Sequence, residues 1–239
     1  MIYSREFFDL QLRFAHRAAT LTGLGLGDAL LEYTNLYIRF GLGRDFKADH
    51  PSWRDYLRGV SETNDPREWT YRFYLERADS AMSHPVVATF GCFSYARFRE
   101  DSIKLHFQNA EPEGHSPLAA DRVEERRSDL RALFRDASER SDPPDKVVGA
   151  SWLYNLNAYR RLFPPSYLAT ARPIGPHFQR MSLWGQLLDR SGHTKPDRTR
   201  AFVTRIEKAS TVEELGRCFA LQTLMPTAPL SAFRTFYEV

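Results

Sequence analysis

Apolar side chains in the first third of the chain recur at three- and four-residue steps, and beyond it they give way to short runs and alternations. Phe7, Leu10, Phe14, Ala18 and Leu21 form one face of a helix that Ser4 is placed to cap, with Asp9, Arg13, His16 and Thr20 on the opposite, solvated face. The glycines of TGLGLGDALLEY break this helix, and Asp28 is set to cap a second one carrying Leu30, Tyr33, Tyr37 and Phe40 on one side. A third helix is predicted from Pro51, with Trp53, Leu57 and Val60 inward. A fourth starts at DPRE, where Asp65 caps, Pro66 suits the first helical position and Glu68 completes a capping box. Trp69, Tyr71, Phe73 and Tyr74 surround much of that last helix, which predicts its burial against a following sheet or, in a homo-oligomer, against a second subunit.

Strand character begins at HPVVATFGCFSYARF, from about Val86 to Phe98. After the polar turn REDS, Ile103, Leu105 and Phe107 alternate with Lys104, His106 and Gln108, so the two segments are expected to pair as an antiparallel hairpin. A long helix follows from about Ser116 and Pro117 to Arg140, with Val123, Leu130, Phe134 and Ala137 as its apolar stripe. DKVVGASW supplies another strand, and a helix capped by Asn155 runs to Pro164 and Pro165. SYLATA reads as a further strand, HFQRMSLWGQLLD as a strand passing into a helix, and TVEE at Thr211 to Glu214 as a capping box. Strand, helix, strand, helix, strand is the order that builds parallel crossovers. The expected fold is therefore α/β (α+β): a helical N-terminal region, 1–85, packed on a mixed sheet with helices on its faces, 86–239, the latter ending in a helical extension.

Composition narrows the function classes without naming one. The 33 basic and 30 acidic residues are interspersed and leave a net charge of only +3, so no strong field for nucleic acid or a membrane surface arises. Cys92 and Cys218 lack the spacing of a disulfide framework or zinc site, which points to a reducing, cytoplasmic setting. The charged N-terminus makes a poor signal peptide, and no apolar run approaches the roughly 18 residues of a membrane span. GxSxG, HExxH and Walker patterns are missing.

The pair IKLHF and ASWLYNLNAYRRLFPP resembles a GNAT-like C-terminal domain of bacterial acyltransferase-related proteins, on His106, Ser151, Trp152, Leu153 and Pro164, over about residues 86–190. The resemblance implies a GNAT-like sheet and transfer of an acyl group from a coenzyme A thioester to an amine. It also implies acetyl-CoA or another acyl-CoA as cofactor; the residues alone name none. In that family the loop after the splayed central strand presents backbone N–H groups to pyrophosphate, behind which a helix N-terminus adds its dipole. Here the loop is QNAEPEGHSPLAAD, residues 108–121, which lacks the paired small residues, carries Glu111 and Glu113, loses an N–H at Pro117, and leaves only Gly114 and Ser116 to help.

On the acyltransferase reading Tyr154 is the acid for the leaving thiolate and His106 the base for the amine, with Ser151, Trp152, Asn155 and Arg160 bordering the ligand. Each also has a plainer reading. Tyr154 is equally a buried tyrosine with a structural partner, His106 a strand histidine in a hydrogen bond, Trp152 core, and Asn155 a helix cap. Cys92 reads as a buried apolar residue and His115 as a loop residue without metal partners. The alternative function is a noncatalytic small-molecule or protein-binding module on the same fold.

Overall fold

The computed structural model describes residues 2–78, 86–111, 115–175 and 178–239. In chain order the helices and strands run α1 (Arg5–Thr22), α2 (Leu26–Tyr33), α3 (Leu36–Arg39), α4 (Pro51–Glu62), α5 (Pro66–Leu75), β1 (Ala88–Phe90), β2 (Phe93–Arg99), β3 (Ser102–Phe107), α6 (Val123–Glu139) and β4 (Lys146–Val148). They continue through α7 (Asn157–Arg160), α8 (Pro165–Ala169), β5 (Arg172–Pro173), α9 (Met181–Trp184), α10 (Pro196–Lys208), α11 (Val212–Arg217), β6 (Leu224–Met225), β7 (Thr227–Pro229) and α12 (Leu230–Tyr237). Helices and a mixed sheet make the chain α/β, as the patterning predicts.

The chain forms two compact units, 1–82 with 176–220, and 83–175 with 221–239. Residues 176–220, which the sequence groups with the sheet, fall with the N-terminal helices. The reason is aromatic: Phe178, Trp184, Phe202 and Phe219 surround Phe14 of α1, with Trp184 and Phe219 perpendicular at 5.1 Å and Phe14 stacked on Phe202 at 5.8 Å. The Trp184 indole satisfies its N–H on the Phe178 carbonyl at 2.6 Å.

Local signals in the helical unit hold with three changes. Asp65 accepts from the Arg67 and Glu68 amides, and Thr211 and Glu214 form a reciprocal box through Glu214 N and Ser210 N. Ser4 stands at the N-cap of α1 in extended backbone but makes no capping bond. Gly25 rather than Asp28 is the N-cap of α2, with Asp28 inside its first turn. The helix expected to run from Leu30 to Phe40 breaks at Thr34 and Asn35, because the buried Asn35 amide donates to Gln11 Oε1 of α1 at 2.9 Å. The aromatics of α5 serve this unit's own core: Phe73 and Tyr74 are buried, and Trp69 covers Gly59 while donating to the Tyr56 carbonyl.

The second unit holds a five-stranded sheet of order β1-β2-β3-β4-β7. The segment from Val86 to Phe98 is not one strand but two, folded back at Gly91, whose φ of 52° needs glycine. β2 and β3 are the predicted antiparallel hairpin, and β3 and β4 pair in parallel across α6. α6 starts at Val123, later than expected, after a 3₁₀ turn at Ala120–Arg122. SYLATA is helix rather than strand, since Pro165 sits at the first position of α8 and pre-sets its backbone. In HFQRMSLWGQLLD the described residues, from Phe178, form the short α9 and a 3₁₀ turn at Gly185–Leu187 with no strand.

One face of this sheet, carrying Phe93, Tyr95, Ile103, Leu105, Phe107, Val147 and Ala228, is covered by α6, α12 and the segment Tyr154–Tyr167. A buried charge cluster ties its corner together. Arg126 of α6, 2% exposed, meets Glu111 at 2.7 Å, Glu125 at 2.6 Å and Asp129 at 3.1 Å, and donates to Cys92 Sγ. Asp129 in turn accepts from the Cys92 amide, and its carboxylate fills the space a side chain on Gly91 would need. One guanidinium thus joins the β1–β2 turn, α6 and the segment after β3. Replacing Arg126 with Met strands Glu111 and Asp129 as buried anions, and urea unfolding is expected to show a loss of about 3–5 kcal/mol. Arg122→Met, at the exposed edge of the same cluster, should cost less than about 1 kcal/mol; equal losses would contradict this assignment.

Candidate functional site

The predicted site lies where β3 and β4 part. Their parallel pairing runs through Ser102 with Lys146, Ile103 with Val147 and Lys104 with Val148, and goes no further. Beyond Val148 the chain turns its hydrogen bonds to the other neighbour, from Gly149 N to the Pro226 carbonyl at 3.0 Å and between Ser151 and Leu224 in both directions. β3 meanwhile continues to Phe107 against β2 alone.

Tyr154 stands in a 3₁₀ turn, Trp152–Asn155, at the end of this diverging segment. Its ring packs on Tyr159 at 5.0 Å and Phe163 at 5.5 Å, and its hydroxyl is hydrogen-bonded to that of Tyr167 at 2.8 Å. Tyr154 is 1% exposed. Burial, and then the neighbouring Tyr167, hold its phenol well above the ordinary value, and burial does the same to Tyr159 and Tyr167. The two paired hydroxyls lie over Gly149: a Cβ there would come within 2.1 Å of Tyr154 Oη and 2.4 Å of Tyr167 Oη. Glycine at 149 is a packing requirement of the tyrosine pair.

The other corner residues are committed to the turn. Ser151 Oγ caps the turn by accepting from Leu153 N at 3.1 Å, and the helix expected to be capped by Asn155, α7, has Leu156 at its N-cap with no side-chain capping bond. Asn155 donates through Nδ2 to the Trp152 and Gln222 carbonyls, both at 2.8 Å, and so staples the turn to the segment leading into β6. Arg160 points back to the Tyr154 carbonyl at 3.4 Å. Trp152 is half-buried.

His106 goes elsewhere. It is paired with Ser94, one residue out of step with the Phe93–Phe107 pair, and Phe107 packs on Tyr159 at 5.4 Å. Successive strand residues project to opposite faces. His106 therefore faces away from the layer that contains Tyr154, and the sheet stands between the two residues proposed as base and acid.

The loop that the resemblance sets opposite pyrophosphate is, in its described part, engaged with the chain's own groups. Glu111 is neutralised by Arg126 at 2.7 Å and approached by Arg122 at 3.8 Å. Arg161 Nη2 donates to the Leu118 and Ala119 carbonyls at 2.9 and 3.0 Å, just before α6. Glu113 and Gly114 lie outside the described residues. Cys92, wholly buried, has its thiol pushed up by burial, which disfavours a thiolate. Among the described residues no three His, Cys, Asp or Glu side chains converge as a metal site, and no helix is long and apolar enough to cross a membrane.

Comparison of the chain with protein-family profiles, curated proteins and solved structures finds no significant match to any of them. The geometry itself therefore carries the functional reading. The residues that organise the corner are Gly149, Tyr159 and Tyr167, none of which the motif match singled out. Their signal in the sequence is a density of tyrosine around a strand-ending glycine, YNLNAYRRLFPPSY after VVG. Gly149→Ala drives a methyl group into two hydrogen-bonded hydroxyls and should destabilise the fold by about 1–3 kcal/mol in chemical unfolding. Gly175→Ala, where an added Cβ meets nothing, is the matched control; equal stability of the Gly149 variant and the parent would show that the hydroxyls do not lie there.

Proposed function

We propose that this chain is a noncatalytic, ligand-binding relative of GNAT-like acyltransferases, keeping the layout of their sheet without their acyl-transfer site. The layout is supported by the mixed sheet, by the β3–α6–β4 parallel crossover and by the parting of β3 from β4 after Lys104 and Val148. The observation that carries the noncatalytic reading is the placement of Tyr154 and His106 on opposite sides of that sheet.

Acyl transfer to an amine forms a C–N bond, breaks the thioester C–S bond, takes a proton from the amine and returns one to the leaving thiolate. The base and acid must therefore reach the same carbonyl carbon, within about 3 Å of the atoms they serve. A sheet lies between His106 and Tyr154, and the Tyr154 hydroxyl is already paired with Tyr167 away from water. In the described part of the segment that would face pyrophosphate, the buried Glu111 carboxylate already takes Arg126, and Arg161 is engaged with the Leu118 and Ala119 carbonyls.

Acetyl-CoA titrated against the folded protein should leave its unfolding free energy unchanged, and no thiol should be released in the presence of amines. A bound cofactor at 100 times its dissociation constant would instead stabilise by about 2.7 kcal/mol. Saturable stabilisation together with thiol release that falls in Tyr154→Phe would overturn the proposal.

A further inference from the structure

Within the helical unit, α1 and α10 leave an open groove of about 430 Å³, within the range of small-molecule sites. Arg13, His16, Arg17 and Thr20 line it from one side at helical spacing, and Val203, Ile206 and Glu207 from the other. The polar stripe of α1 thus faces an aliphatic ridge rather than open solvent alone.

Two arginines one turn apart repel, and among the described residues neither Arg13 nor Arg17 has a carboxylate within 4.0 Å. Asp9, one turn before Arg13, is drawn on by Arg67 and Arg5 more than by Arg13. Arg17 is held in place: Nε donates to the Ala209 carbonyl at 2.9 Å and Nη2 donates to the same oxygen. A guanidinium has five N–H donors, so the bonds to Ala209 leave the remainder for a ligand on a head group whose freedom is already restricted. Glu207 on the rim opposes a second negative charge.

We propose that this groove binds an aliphatic monocarboxylate, with the carboxylate on Arg13 and Arg17 and the hydrocarbon chain along Val203 and Ile206. The proposal rests on the reading of the chain as a ligand-binding protein and gives that reading a site and a ligand class. Monoanionic charge follows from the two guanidinium groups set against Glu207. An apolar tail follows from the ridge on α10.

Octanoate, acetate, octylamine and inorganic phosphate, each titrated into the full chain by calorimetry or by amide chemical shifts, test the proposal. Octanoate should bind, acetate should bind many-fold more weakly for want of the chain, and octylamine and phosphate should not compete. Arg13→Gln, at an exposed position, should weaken octanoate by about tenfold or more. No octanoate binding, equal binding of octylamine, tighter binding of phosphate, or an unchanged affinity in Arg13→Gln would overturn it. Thiol release from acetyl-CoA alongside Arg13-dependent octanoate binding would refute the noncatalytic reading and leave the groove standing; silence in both assays would do the reverse.

Discussion

The hydrogen-bonded hydroxyls of Tyr154 and Tyr167, seated over Gly149, hold the second unit's corner closed. Removing two phenol groups from water is unfavourable unless they find partners, and here each supplies the other's. The pair can approach the backbone only because residue 149 has no side chain. From that contact follow the tight turn through Trp152–Asn155, the tilted packing of Tyr159 and Phe163 against it, and the docking of Tyr167 on Phe233 of α12 at 4.9 Å.

A second constraint works at the same end of the sheet, where the β1–β2 turn meets the end of β3. Arg126 is a buried guanidinium, and Glu111, Glu125 and Asp129 gather around it, bringing the segment after β3 and the Gly91 turn with them. Glu111, which looks hostile to phosphate in the sequence, is in the structure a counter-ion for an arginine.

Much of the architecture is legible in the chain because it is local. The α1 stripe, the Asp65 and Thr211 caps and the alternation of Ile103, Leu105 and Phe107 each depend on residues within a few positions of one another. The misplaced features depend on distant partners. The break at Asn35 needs Gln11, and the return of 176–220 to the first unit needs Phe14. SYLATA has strand composition, but Pro165 starts a helix there. At the candidate site, the facing of His106 is readable from simple alternation. The direction of Tyr154 is not, because it follows a strand through a 3₁₀ turn whose geometry is set by Ser151, Asn155 and Gln222 together. Motif resemblance placed the two residues near each other along the fold; the sheet lies between them.

The most direct test of the closed corner is the ultraviolet titration of tyrosinate in the folded protein, compared between the parent chain and Tyr154→Phe. A phenol whose pKa is raised on folding contributes stability that is full below about pH 10 and is lost as pH rises above that value, because the unfolded chain then releases its proton first. Tyr154 should therefore stay protonated until alkaline unfolding, so that the two proteins give the same folded-state tyrosinate absorbance. A parent signal larger by one tyrosinate before unfolding would place the Tyr154 hydroxyl in contact with water and contradict a purely structural role.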